Sequence, residues 1–232
     1  MMLFSFNILF SLEPLAVIIK SKGKVKYKLI GDEKVNPSKS GIISGSQIQT
    51  SKNSFLKIAF LDNGSTISIY PDSEILISGE VNGKKINKQM DLKKGVVQLN
   101  IVNEDSAGFK LLSESSEVSC FNCNYWGIIE DNNEKYILNK GIAEVYNSST
   151  NSRINMTLDS MIISKDKEAF EVNKINLNKK NYLKSIMILA NENNNDSYKK
   201  YLIQSDTSSS VLVIKLKNET NIEREISITL KR

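Results

Sequence analysis

The sequence predicts an all-β chain, and three observations carry that prediction. Helical 3.6-residue periodicity is hard to find past Pro14. Short runs rich in Ile, Val and Tyr alternate apolar with polar residues, as half-buried strands do. Turn residues recur between these runs at regular spacing, the pattern of a sandwich, a barrel or a solenoid. No exact repeat of fixed length is visible, so a regular solenoid with a readable ladder is not expected.

Residues 1–12 (MMLFSFNILFSL) are apolar apart from Ser5, Asn7 and Ser11. The run is too short to span a bilayer comfortably, but it suits the apolar core of a secretory signal. Residues 1–14 therefore read as a signal peptide or signal-anchor. Against this, no Lys or Arg precedes the run and no clean A-x-A site follows it. The competing reading is a first buried strand, interrupted by Pro14.

Leu15–Ile19 is a strand, and Gly23 bends the chain into KVKYKL, where Val25, Tyr27 and Leu29 share a face. Residues 31–40 form a polar loop. Gln47–Thr50 and Phe55–Leu61 follow, with Leu56, Ile58 and Phe60 on one face of the second run. Asp62-Asn63-Gly64-Ser65 is the strongest local signal, because Asn-Gly accepts the positive φ values of a hairpin turn. It joins FLKIAFL to TISIY. Pro71-Asp72 breaks the chain, Glu74–Ser78 resumes it, and Asn82-Gly83 marks a second turn. Gly95 starts the strand VVQLNIV. Further strands are expected at 108–112, 117–121, 125–129, 134–138, 142–146, 155–158 and 160–163.

Residues 166–183 are polar and rich in Lys and Asn, which reads as a linker after a domain spanning 15–165. The tail, 184–232, then reads as a small β-hairpin module. One hairpin would pair 184–190 with 198–204, and the other 210–217 with 224–230.

Composition excludes more than it suggests. The 232 residues contain no histidine, which removes His-based acid–base catalysis, Ser-His-Asp and Cys-His nucleophile systems, and His-ligated metal. Two cysteines cannot build a four-cysteine zinc site. No cofactor or metal is expected. The formal net charge is +5 and the pI about 9.0, but Arg occurs only at Arg153, Arg224 and Arg232. The lysines are spread along the chain rather than clustered, so a solvated surface is expected and nucleic acid is not.

Cys120-Phe121-Asn122-Cys123 lies in a β-rich run with no helix pattern after it, so a thioredoxin-like role has little support. A local disulfide, favoured by export, and two unpaired thiols remain open. Asp62 reads as a turn residue rather than as one of a glycosidase pair with Asp72. Tyr70, Tyr125 and Trp126 are candidate binding aromatics that could line a sugar or peptide groove, but core or edge packing is the favoured reading.

Several of these elements stand in a familiar order. LAVIIKSKGKVKY is followed by Gly45-Ser46-Gln47-Ile48-Gln49-Thr50, then by KIAFLDNGSTISIYPDSEILI, which carries Asp62, Gly64, Ser65, Pro71 and Ser73. Met90–Val97, with Gly95, and Ile137–Val145, with Gly141, complete it. This order resembles the FecR domain, the extracytoplasmic β domain of iron-responsive anti-sigma regulators and of stand-alone exported proteins. The resemblance covers roughly two thirds of the chain, and Gly45–Ile77 is its specific part. One departure is Cys123-Asn124, which stands where the family has a Gly-Thr pair.

The resemblance implies an irregular, twisted β domain, solenoid-like or sandwich-like. It also implies a stand-alone exported protein without the family's cytoplasmic sigma-binding segment and membrane helix. The expected function is non-enzymatic binding or sensing in the periplasm or cell envelope. The expected partner is an envelope protein or a cell-surface polysaccharide, with membrane anchoring through the N-terminus only. A structural envelope component assembling by β-edge pairing is the alternative, and a carbohydrate-active enzyme is the third reading.

Overall fold

The computed structural model describes residues 13–29, 41–62, 64–83, 85–102, 109–189, 202–205, 209–217 and 223–231. The apolar start at 1–12, the loop at 31–40 and the expected strand residues 198–201 lie outside them. Contacts divide the chain into two compact units, Met1–Asn191 and Glu192–Arg232.

The first unit opens with β1 (Pro14–Lys22), β2 (Val25–Leu29), β3 (Ile42–Ile43), β4 (Ser46–Thr50), β5 (Phe55–Phe60), β6 (Thr66–Ile69), β7 (Glu74–Asn82) and β8 (Lys85–Ile101). It continues through β9 (Phe109–Leu112), β10 (Ser116–Cys120), β11 (Cys123–Glu130), β12 (Asn133–Lys140), β13 (Ala143–Asn147), β14 (Ser152–Asn155), β15 (Ser160–Ser164) and β16 (Glu171–Lys174). Helix α1 (Leu177–Leu189) follows. Pro14 is tolerated as the first residue of β1, where its missing N–H costs little.

These 16 strands form one sheet that does not close into a barrel. It has two arms. One runs β3–β1–β5–β6–β8–β11–β12–β15–β16, and the other runs β2–β4–β7–β8–β9–β10–β13–β14. The long β8 belongs to both. Lys85–Lys94 pairs with β7, whereas Gly95–Ile101 pairs with β11. Every pairing is antiparallel except β8 with β9. The arms fold over one another around a shared core. Leu56, Ile58, Ile67 and Leu99 come from the first arm, and Ile48, Ile75, Met90 and Val118 from the second.

Gly95 is therefore not the start of a strand, as its position before VVQLNIV suggests, but a bend inside one. Its φ of +96° is open to glycine at little cost and turns β8 from one arm into the other. The Asp62–Ser65 and Asn82-Gly83 signals both close antiparallel hairpins, β5–β6 and β7–β8.

The larger correction concerns 166–190. The expected linker contains β16 and the first turns of α1, and the expected strand at 184–190 is helical through Leu189. KSIMILA is short enough to imitate a strand. Leu183, Ile186 and Met187, however, have i, i+3, i+4 spacing, which places them on one helix face. Asn176 caps the helix, its Oδ1 accepting from Lys179 N at 2.8 Å.

The second unit is a three-stranded antiparallel sheet of β17 (Leu202–Ser205), β18 (Ser209–Lys217) and β19 (Glu223–Lys231). The expected hairpin of 210–217 with 224–230 is present, but the partner of 202–205 is β18 rather than 184–190.

Candidate binding groove

The residues of the Gly45–Ser73 stretch do not scatter over the surface; several meet at one corner. There the β4–β5 turn, the β6–β7 turn and the bend of β8 converge. Thr50 Oγ1 donates to Tyr70 O at 2.6 Å and accepts from Ser73 N at 3.0 Å. Thr50 N donates to Ser73 O at 2.9 Å. Ser73 Oγ accepts from Val96 N at 2.9 Å and donates to Val96 O at 3.1 Å. Thr50 and Ser73 are both buried, so each hydroxyl satisfies backbone groups that would otherwise be costly to bury. Pro71-Asp72 makes the turn between these anchors, with Asp72 at φ +56°.

A shallow, half-open groove of about 420 Å³ lies over this corner. Tyr70, Pro71, Gly95 and Val96 line one side, and Tyr182 and Ile186 of α1 the other. Lys52, Asn53, Asp72, Lys94 and Glu130 supply polar groups. The mixture of a partly exposed tyrosine with convergent polar groups of both charges suits a polar, hydroxyl-rich or peptide ligand.

Glu130 ties the helix to the sheet. It accepts from Lys135 Nζ at 3.2 Å and from Tyr182 Oη at 3.3 Å, and it pairs with Lys179 at 3.6 Å. Burial alone would raise its pKa, but Lys179, Lys135 and the Tyr182 hydroxyl together outweigh burial and hold the carboxyl below its ordinary value. Burial pushes the Lys179 ammonium down, against the pull of Glu130. A second tether joins Lys180 Nζ to Asp159 at 3.1 Å.

All three candidate aromatics are packed. Tyr125 is fully buried in the main core. Tyr70 and Trp126 stack at 5.1 Å between ring centres, with Phe55 tilted 5.4 Å from Tyr70. This stack and Leu183 and Ile186 of α1 form a second cluster of buried residues. Tyr70 still borders the groove, while Tyr182, which sequence reasoning passed over, is its exposed aromatic.

The other turn residues each hold a local joint. Gly45 N donates to Ile77 O at 2.9 Å, and Gly64 N to Phe60 O at 3.3 Å. Ser65 Oγ accepts from Val102 N at 3.0 Å. Asp62 is more than a turn residue. Its Oδ2 accepts from Ile86 N at 2.9 Å and pairs with Lys88 Nζ at 2.8 Å, and the Lys88 side chain is fully buried. A disulfide joins Cys120 and Cys123, whose Cα atoms are 6.1 Å apart. Gly141 packs on that turn so closely that a Cβ there would overlap Asn122 O.

Sequence reasoning also missed a buried polar network that joins β12 and β15 of the first arm to the β9–β10 turn, β10 and β13 of the second. Glu134 accepts from Ser115 N at 2.9 Å and Ser115 Oγ at 3.0 Å, with Tyr136 Oη at 3.4 Å. Burial, reinforced by Glu134, drives the Tyr136 hydroxyl far above its ordinary pKa. Asn147 Nδ2 donates to Ser164 Oγ at 2.9 Å, and Ser116 Oγ donates to the same atom at 2.7 Å. The signal was available in the strand pattern. Glu134 lies two residues from the buried Tyr136, and Lys88 between the buried Ile86 and Met90, so each takes an inward position of its strand. Among the described residues no group of three His, Cys, Asp or Glu side chains could hold a metal ion, and no helix is long and apolar enough to cross a membrane.

No sequence-family model matches the chain, and no curated protein does. Two crystal structures of candidate anti-sigma factors from Parabacteroides distasonis are similar to it. One aligns with a TM-score of 0.48 at 12% identity, over 58% of this chain and 62% of its own. The other aligns with a TM-score of 0.49 at 12% identity, over 70% of this chain and 68% of its own. The chain thus spans less than two thirds of the first of these proteins.

Proposed function

We propose that this chain is a non-enzymatic, extracytoplasmic binding or sensing domain of the FecR type, which engages an envelope protein or surface polymer at the groove beside Tyr182. One observation carries the proposal. Thr50, Pro71, Ser73 and Gly95, four residues of the sequence resemblance, converge on one hydrogen-bonded corner, and that corner forms one wall of the groove. The resemblance and this groove therefore coincide.

The chemistry of the groove supports binding over catalysis. A glycosidase acid needs a carboxyl whose pKa is raised. Glu130, in the groove wall, is held the other way by two lysines and a tyrosine hydroxyl.

The reading is tested in two steps. Intact mass of the protein recovered from fractionated cells is expected to show loss of an N-terminal peptide and the mass deficit of one disulfide. Lys52→Glu with Lys94→Glu is then expected to reduce partner capture while the thermal midpoint stays unchanged. A full-length, reduced chain in the cytoplasmic fraction would overturn the location, and unchanged capture would overturn the groove.

Edge assembly keeps one observation in its favour. β14 and β16 each have a single strand partner, and β16 is exposed along its whole length. Concentration-dependent assembly that Val172→Pro abolishes would favour that reading over the groove.

A further inference from the structure

Three connections meet at the end of the fold that carries the disulfide. The β10–β11 turn presents Phe121, the β12–β13 connection Ile142, and the β14–β15 connection Leu158. Their exposures are 51%, 76% and 59%. The register sets the first two side by side. Cys120 pairs with Ala143 on the last rung of β10 and β13, so Phe121 and Ile142 are the next positions on the two strands. Alternation turns both outward, while Cys120 and Ala143 face the core. Leu158 joins them through its bridge to Leu138, and Met156 N reaches Ala143 O at 2.9 Å.

This end is rigidly built. The disulfide closes the turn beneath Phe121, and Gly141 lets the neighbouring connection lie directly on Asn122 and Cys123. Nothing in the groove or in the core requires a large aromatic at that tip. The rim is basic. Lys140 and Lys174 are exposed and have no ion-pair partner among the described residues, and the Asp159 carboxylate is matched by Lys180.

We propose that this end is a membrane-contact surface, which seats on an anionic lipid bilayer. Phe121, Ile142 and Leu158 enter the headgroup level, and Lys140 and Lys174 meet the anionic headgroups. The area decides against a second copy of the chain as the occupant. Three partly exposed side chains offer roughly 300 Å² of apolar surface, against the ~800 Å² per partner of a stable protein interface. A lipid surface takes protruding side chains without needing a complementary shape, and basic neighbours strengthen the contact. The proposal neither uses the groove nor depends on it.

The test uses the full, oxidised chain and vesicles of phosphatidylcholine with or without an equal part of phosphatidylglycerol. Phe121→Trp places a reporter at the tip, which distinguishes this end from residues 1–12. Its emission is expected to move to shorter wavelength and to be quenched by brominated lipid on the anionic vesicles, and to respond weakly on the neutral ones. Phe121→Ser with Ile142→Ser is expected to reduce sedimentation with anionic vesicles about tenfold, with Trp126 emission in the free protein unchanged as proof of folding. Lys140→Glu with Lys174→Glu is expected to weaken binding and flatten its salt dependence. A tip reporter that stays in water, or equal sedimentation of the serine variant, would overturn the proposal. So would a dimer in solution that Ile142→Ser dissolves.

Discussion

Ser73 fills the space that a side chain on Gly95 would need. A Cβ built at position 95 would overlap Ser73 Oγ, the same oxygen that accepts from Val96 N at 2.9 Å and donates to Val96 O at 3.1 Å. The serine of one turn and the glycine of a distant strand are thus one joint. It fixes where β8 passes from one arm of the sheet to the other, and so where the groove lies.

This joint sets an order of costs. Ser73→Ala strands a buried N–H and is expected to lose about 1–3 kcal/mol of stability. Gly95→Ala meets both the overlap and the strain of a φ of +96°, and is expected to lose more than Ser73→Ala. Urea unfolding followed by circular dichroism compares the two. An equal or smaller loss for Gly95→Ala would show that the bend relaxes freely.

Asp62 and Lys88 form a buried pair, and such pairs are costly to break from one side. Lys88→Met leaves the Asp62 carboxylate without its buried counter-charge and is expected to destabilise by about 3–5 kcal/mol. Asp62→Asn in the Lys88→Met background removes that charge and is expected to recover part of the loss. The measurement is a double-mutant cycle in denaturant; additive losses would mean that the pair is not coupled.

Trp126 is the only tryptophan in the chain and lies with Leu183 and Ile186 of α1 in one buried cluster. Its emission therefore reports the docking of the helix. Leu183→Ala and Ile186→Ala are each expected to cost up to about 2–5 kcal/mol, the range for truncating a buried Leu or Ile, and to shift that emission to longer wavelength. Emission unchanged from wild type in both variants would separate the helix from the stack.

The same helix should respond to acid through Glu130. Its folded-state pKa lies below the ordinary 4.5, so the stability it contributes is complete above that value and is lost as pH falls through the lower, folded-state value. Glu130→Gln lacks this contribution. Wild type is expected to exceed the variant in thermal midpoint near neutral pH, and the gap to close in the acid range. A gap independent of pH would mean that the charge on Glu130 does not hold α1.

Reduction tests the disulfide separately. Closing a loop of a few residues is worth about 2 kcal/mol in the chain-entropy account. A lower denaturant midpoint with reductant, equivalent to a loss of about 2 kcal/mol in unfolding free energy, is expected, and no change would mean that the turn is held by Gly141 packing alone.

Much of this architecture was legible because it rests on short-range chemistry. The Asp62–Ser65 turn and the alternation of FLKIAFL announce themselves within a few residues, whereas Thr50 and Ser73 stand out only through the family resemblance. What was hidden depends on distance in the chain. Nothing near Gly95 shows that β8 continues through it, because the reason is Ser73 on another turn. Helix α1 was hidden by its weak pattern: Leu183, Ile186 and Met187 give it a narrow apolar stripe among lysines and asparagines, and what holds it is the sheet beneath. Tyr182 and Glu130 lie 52 residues apart in sequence, so their contact has no local trace. The packing of the candidate aromatics depends on the same distant helix. Tyr70, just after β6, and Trp126 of β11 share a face of the sheet that Leu183 and Ile186 of α1 cover.

The most direct test of the proposed function is site-specific photocrosslinking in living cells. A photoreactive phenylalanine analogue at position 182, in the groove wall, is compared with one at Asn151, an exposed turn position between β13 and β14. The account predicts a discrete adduct in the envelope fraction from position 182, absent from position 151 and diminished by Lys94→Glu. The same adducts from both positions, or none from 182 while the protein is folded in the envelope, would contradict it.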